Sequence, residues 1–133
     1  MGTPCDIAIV HLDGTVEAIT VNYDGYLSGM GPLLLHHYDD RQKIIDMLAL
    51  GNYSSLGEDS QNSIAYIRDR GEGPGELSRT FLSTHDYDES LRYDATYQYI
   101  FGNDDTWYYS SSNEGELPLV VALAFLAKYE DFR

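Results

Sequence analysis

Positive charge is what this sequence has least of. Only 8 of its 133 residues are lysine or arginine against 22 aspartates and glutamates, which leaves a formal net charge of −14. That balance argues against direct nucleic-acid binding, because phosphates would be repelled. A field of this sign attracts cationic surfaces instead, including the grooves in which other proteins hold DNA or RNA, and speeds encounter with them at low salt. The plainer account is that acidic surfaces keep proteins soluble. Composition alone leaves both open.

Cysteine is nearly absent. The single Cys5 excludes an internal disulfide, and no basic-plus-apolar signal pattern precedes it, so a cytoplasmic location in a reducing compartment is the expectation. Long apolar runs are lacking too. The longest, Leu117 to Ala127 broken only by Pro118, falls short of the roughly 20 residues that cross a bilayer, so no membrane partner is expected.

Catalytic and metal motifs are equally scarce. No serine sits in a G-x-S-x-G elbow, and adjacent acids such as Asp39-Asp40 and Asp104-Asp105 fall in capping and turn contexts. His36 and His37 are neighbours, which on a helix sets their rings about 100° apart rather than on one face. The sequence therefore predicts no enzyme, no cofactor and no metal site.

What is present reads as one α+β domain spanning residues 1–133, an antiparallel sheet of about five or six strands with two or three helices on one face. Residues Asp6 to Val10 and Thr15 to Tyr23 flank an Asp13-Gly14 turn and predict a hairpin. Gly29, Gly31 and Pro32 keep the next segment irregular until a short helix starts at Leu33. Asp39 with Gln42 resembles a capping box for a second helix that ends at Gly51. Asn52 to Ser63 reads as a surface loop, Ile64 to Ile67 as a strand running into Arg68-Asp69-Arg70, Gly71 to Glu76 as an exposed loop, and Thr80 to Thr84 as a short strand. Tyr97 to Phe101 and Thr106 to Ser110 predict an aromatic hairpin, and Leu119 to Tyr129 a helix apolar on nearly all sides. Such a helix is buried in the core or, alternatively, forms a homodimer seam through Val120, Leu123, Ala124 and Ala127.

Two sets of residues are candidates for binding. Between Asp86 and Glu116 eight carboxylates face only Arg92, and Asp86, Asp88, Glu89, Asp94, Asp104 and Asp105 would form an acidic face for a protein partner. The segment Tyr23 to Tyr38, with Tyr23, Asp24, Tyr26 and Tyr38, would supply a second contact, since tyrosine offers large contact area at low entropic cost. The alternative is a small-molecule site in which Arg68 and Arg70, on one face of an extended strand, work with His37 to hold a phosphorylated nucleotide. Pairing of those arginines with nearby acids is the plainer reading.

The string Tyr23-Asp24-Gly25-Tyr26, the glycines at 29 and 31, Leu34-Leu35, His37-Tyr38 and Ser54-Ser55-Leu56 resembles a family of small uncharacterised bacteriophage proteins. The likeness continues through Ala65-Tyr66 and Arg68-Asp69-Arg70-Gly71-Glu72 to Trp107-Tyr108. This chain departs from the family by Leu27, where proline is usual, and by the apolar tail after Pro118. The resemblance implies a phage origin and no particular reaction. By analogy, acidic phage proteins of this size include anti-CRISPR and anti-restriction inhibitors that imitate DNA, whose own charge is about one per 1.7 Å of helix axis. A host defence protein or nuclease complex is the partner this implies.

Overall fold

The structure, a computed structural model, describes residues 2–90, 97–111 and 114–128. At its centre lies β1 (Cys5–Val10), every residue of which is buried. Cys5, Ile7 and Ile9 enter one apolar cluster, while Ala8 and Val10 enter a second on the opposite face. A strand covered on both faces is apolar along most of its length, which is why this stretch lacks the alternation of an amphipathic strand; the exception, Asp6, accepts from Thr20 Oγ1 at 2.7 Å and from Arg79 Nη2 at 3.2 Å.

β2 (Val16–Val21) pairs antiparallel with it, from Cys5 opposite Val21 to Val10 opposite Val16. The Asp13-Gly14 turn closes this hairpin as the sequence predicts. His11 N donates to Thr15 O at 2.8 Å, and Gly14 adopts φ 91°, a conformation that suits glycine.

Beyond this pair come β3 (Tyr53–Ser55), β4 (Ile64–Ala65), β5 (Arg79–Phe81), β6 (Tyr97–Phe101), β7 (Trp107–Ser111) and β8 (Glu114–Pro118). The sheet runs β4-β3-β2-β1-β6-β7-β8, with β5 on the free part of β2. It is therefore larger than the expected five or six strands. It is also mixed rather than antiparallel, because β1 lies parallel to β6 and β2 parallel to β3. Parallel neighbours are joined by long crossovers and leave no local turn signature in sequence.

Among the described residues five α-helices accompany it: α1 (Leu27–His37), α2 (Arg41–Leu48), α3 (Tyr66–Arg70), α4 (Thr84–Ser90) and α5 (Leu119–Lys128). Met30 and Leu34 of α1, Ile44 and Leu48 of α2, and Leu119 of α5 all join the larger cluster. Those three helices cover one face, and α4 lies on the other. Its anchor is Tyr87, buried with Val10, Val16, Phe81 and Ile100.

Several boundaries differ from the expected ones. α1 begins at Leu27 instead of Leu33, with Pro32 inside it. Proline in that place removes one early hydrogen bond, and the neighbouring Gly31 admits α5 so closely that a Cβ there would lie 3.0 Å from Leu123 Cδ2. The cap of α2 is Asp40 rather than Asp39, its Oδ1 accepting from Lys43 N at 3.0 Å. The acidic tract at Asp86 is helical, and the strand expected at Ile64 turns into α3 after Ala65. α5 is only partly buried: Leu119 and Ala122 face inward, while Val120, Val121 and Phe125 are exposed.

The aromatic hairpin matches its expected position. Tyr99 pairs with Tyr109 and Phe101 with Trp107 across β6 and β7. Their rings pack at centroid separations of 5.4 and 5.3 Å. Such pairs contribute about 0.5–1.5 kcal/mol beyond the area they bury. Their polar tips are also satisfied, Tyr99 Oη donating to Gly25 O at 2.8 Å and Trp107 Nε1 to Tyr38 O at 2.9 Å.

Candidate functional site

Where β1 ends, the β6–β7 turn and α4 leave a cleft of about 390 Å³ between them. Asp88 reaches it from α4, Asp104 from the turn and Glu116 from β8, and none of the described side chains lining it carries a positive charge. Asp104 is fixed at both oxygens. Tyr108 Oη donates to Oδ2 at 2.6 Å and Thr106 N to Oδ1 at 3.2 Å. Partial burial raises the pKa of Glu116, with the Asp88 charge adding to the effect. Burial likewise raises Asp88, and the Glu89 charge works in the same direction against an opposing contribution from His85. The carboxyls here sit in a field that opposes further negative charge. A cationic group entering the cleft would relieve it.

Asp88 and Asp104 thus line one cleft, which not all of the expected acidic face joins. Asp105 diverges from its neighbour: its Oδ1 accepts from Arg41 Nη2 at 2.8 Å, on the other side of the turn. Asp86 and Glu89 are exposed on α4. Asp94 lies outside the described residues. Glu116 is not among the residues expected at an acidic face. Only its place in the acid-rich stretch pointed to it, because the β8 pairing that brings it to the cleft is a tertiary relationship.

The Tyr23–Tyr38 segment does not form a continuous contact with this cleft. Tyr23, Asp24 and Tyr26 are exposed in a turn where Gly25 N donates to Thr3 O at 2.8 Å, beside the Cys5 end of β1. The cleft is at the Val10 end, one strand length of roughly 16 Å away. Tyr38 is buried and donates through Oη to Gly57 O at 2.7 Å, so it does not join Tyr23 and Tyr26 in an exposed surface for a protein partner.

The arginines of the alternative site are on the helix α3, not on an extended strand. Arg68 binds Asp69 at 2.7 Å and donates to Ser60 O at 2.8 Å and Ser63 O at 2.9 Å. Arg70 lies over the Tyr66 ring, 5.4 Å from its centroid. His37 is on α1, its Nε2 3.9 Å from Glu58 Oε2. The three side chains lie beside separate neighbours and do not converge on one site.

Among the described residues no group of three or more His, Cys, Asp and Glu side chains is arranged to hold a metal ion, and no helix is long and apolar enough to cross a membrane. Comparison of the chain with protein-family models, curated proteins and solved structures finds no match in any of the three.

Proposed function

We propose that the protein is a non-enzymatic, phage-encoded inhibitor that blocks a cationic nucleic-acid-binding surface of a host defence complex, acting in the host cytoplasm in the manner of a DNA mimic. The observation that carries the reading is the convergence of Asp88, Asp104 and Glu116 on one cleft without a described cation in its wall, in a chain of net charge −14. A basic side chain of the partner would fill the place that these acids hold open. The phage origin and the choice of a defence complex as partner rest on the resemblance of the Tyr23–Tyr38 segment. Asp86 and Glu89, exposed on the same helix as Asp88, extend the anionic surface.

The alternative, a sponge for a phosphorylated nucleotide held by Arg68, Arg70 and His37, has less in its favour, since both arginines already have partners. Thermal-shift measurements with cyclic nucleotides separate the two readings, because a ligand of the native state raises its melting temperature. The inhibitor reading is tested with the triple variant Asp86→Lys, Asp88→Lys, Glu116→Lys in a pull-down from host lysate at low and high salt. A partner lost by the variant and by wild type at high salt is the expected outcome. A partner retained by a folded variant contradicts it.

A further inference from the structure

We infer that a second hollow, between the end of α1, α2 and the segment after β3, is a binding site for a small organic amine with an apolar body. Its volume is about 560 Å³, within the range of about 300–1,000 Å³ usual for small-molecule pockets. Its wall and base differ in chemistry, and together they select the ligand.

The base is apolar. Met47 and Leu50 line it together with Tyr38 and Tyr53. Both tyrosine hydroxyls are already spent on the backbone, Tyr38 Oη donating to Gly57 O at 2.7 Å and Tyr53 Oη to Met47 O at 2.8 Å. No phenolic donor is left there for an anionic ligand. Burial also holds both phenols above their ordinary pKa, so they stay uncharged.

The rim is anionic. Asp46, Glu58 and Asp59 stand around the opening together with His36, His37 and Ser60, and the one ammonium among them is that of Lys43. Lys43 Nζ is turned to Asp39 Oδ1 at 3.3 Å, and Asp39 is not among the lining residues. That pairing offsets its charge. Glu58 is exposed, its Oε2 3.9 Å from His37 Nε2. An apolar base under a carboxylate rim fits a protonated amine whose hydrocarbon or aromatic part fills the hollow, and it disfavours a carboxylate or phosphate of the same shape. This inference is independent of the acidic cleft, which shares none of its lining residues.

The test uses two probes with the same ring and opposite charge, tyramine and 4-hydroxyphenylacetate. The full chain is labelled with 13C at its methionine methyls, of which there are only three. Tyramine is expected to move the Met47 methyl signal saturably, and 4-hydroxyphenylacetate to leave it in place. The double variant Asp46→Asn, Glu58→Gln, changed only at exposed positions, should bind tyramine at least about tenfold more weakly. Leu50→Lys, which puts an ammonium at the base, should abolish the shift while its thermal melt reports whether the fold persists. The assignment is overturned if 4-hydroxyphenylacetate binds as tightly as tyramine, if the double variant binds tyramine unchanged, or if tyramine at about 10 mM leaves the Met47 signal of the wild type unmoved.

Discussion

Arg41 and Asp105 meet at 2.8 Å across 64 residues of sequence, and their ion pair ties the start of α2 to the turn between β6 and β7. The same guanidinium donates to Val10 O at 2.7 Å and to Gly102 O at 2.9 Å, and it lies 5.3 Å from the centre of the Phe101 ring. One side chain thereby joins a helix, the end of the central strand and a hairpin tip. The arginine fork suits this work because its donors diverge in a fixed plane.

Removing Arg41 should consequently cost more than removing its acidic partner. Arg41→Ala deprives two carbonyls of a charged donor, and with about 1.5–3 kcal/mol for each bond to a charged group the expected loss is about 2–4 kcal/mol after partial rehydration. Asp105→Asn should cost about 1 kcal/mol or less, since Asp105 is exposed and asparagine accepts its φ of 60°. Urea unfolding of the two variants measures the difference. Equal losses would mean that the backbone contacts of Arg41 contribute nothing.

A pH-dependent effect is expected at the cleft. Glu116 and Asp88 both have raised pKa values, chiefly through burial. The folded state then holds protons that the unfolded chain has already released, so this contribution to stability falls as pH rises through the raised values and is regained as pH falls toward the ordinary carboxylate range. Glu116→Gln should raise the melting temperature at pH 7, with an advantage that shrinks on acidification through that window. Asp69 works in the other direction. The Arg68 guanidinium and the Ala65 N–H hold it below the usual value, so its contribution is present above that value and is lost as pH falls through the depressed one. Melting curves of Glu116→Gln and wild type from neutral to mildly acidic pH decide the matter, and a constant gap would contradict it.

Gly51 and Gly14 offer a paired test of backbone against packing. Both adopt positive φ, 80° and 91°. A Cβ on Gly51 would lie 2.2 Å from Glu76 O, whereas one on Gly14 would meet nothing within 4 Å. Gly14→Ala should lose about 1 kcal/mol from backbone strain alone. Gly51→Ala should lose clearly more, because the chain must also move away from Glu76. Comparable losses in denaturant unfolding would show that the close approach of the two segments carries no cost.

Cys5 should be chemically silent in the folded protein. Burial drives its thiol pKa far upward, the neighbouring Asp6 charge adds to this, and the thiolate is the reactive species. A thiol-specific chromogenic reagent is expected to react only after denaturant is added. Stoichiometric reaction under native conditions would contradict the packing of β1.

The parts of this molecule legible in its sequence are those set by local chemistry. The Asp13-Gly14 hairpin, the Tyr97–Phe101 and Trp107 strands, the apolar face of α2, which ends at Leu48 ahead of the expected Gly51, and α5 each have a pattern that repeats over neighbouring residues. The placement of β6 beside β1 has none, because nothing near either strand encodes a parallel partner so far away in the chain. α1 was obscured by Gly29, Gly31 and Pro32, which read as breakers although Gly31 serves the approach of α5. The candidate cleft was half legible for the same reason. Asp88 and Asp104 belong to a visibly acid-rich stretch, but the separation of Asp105 from Asp104 depends on Arg41, and the arrival of Glu116 depends on β8.

The most direct test of the proposed inhibition is displacement of a fluorescently labelled DNA duplex from a purified host defence nuclease complex, followed by anisotropy as this protein is added. Wild type should release the duplex and the Asp86→Lys, Asp88→Lys, Glu116→Lys variant should not, with both melting at similar temperatures and the wild-type effect weakening as salt is raised. Release of the duplex by wild type and variant at equal concentrations would contradict the account.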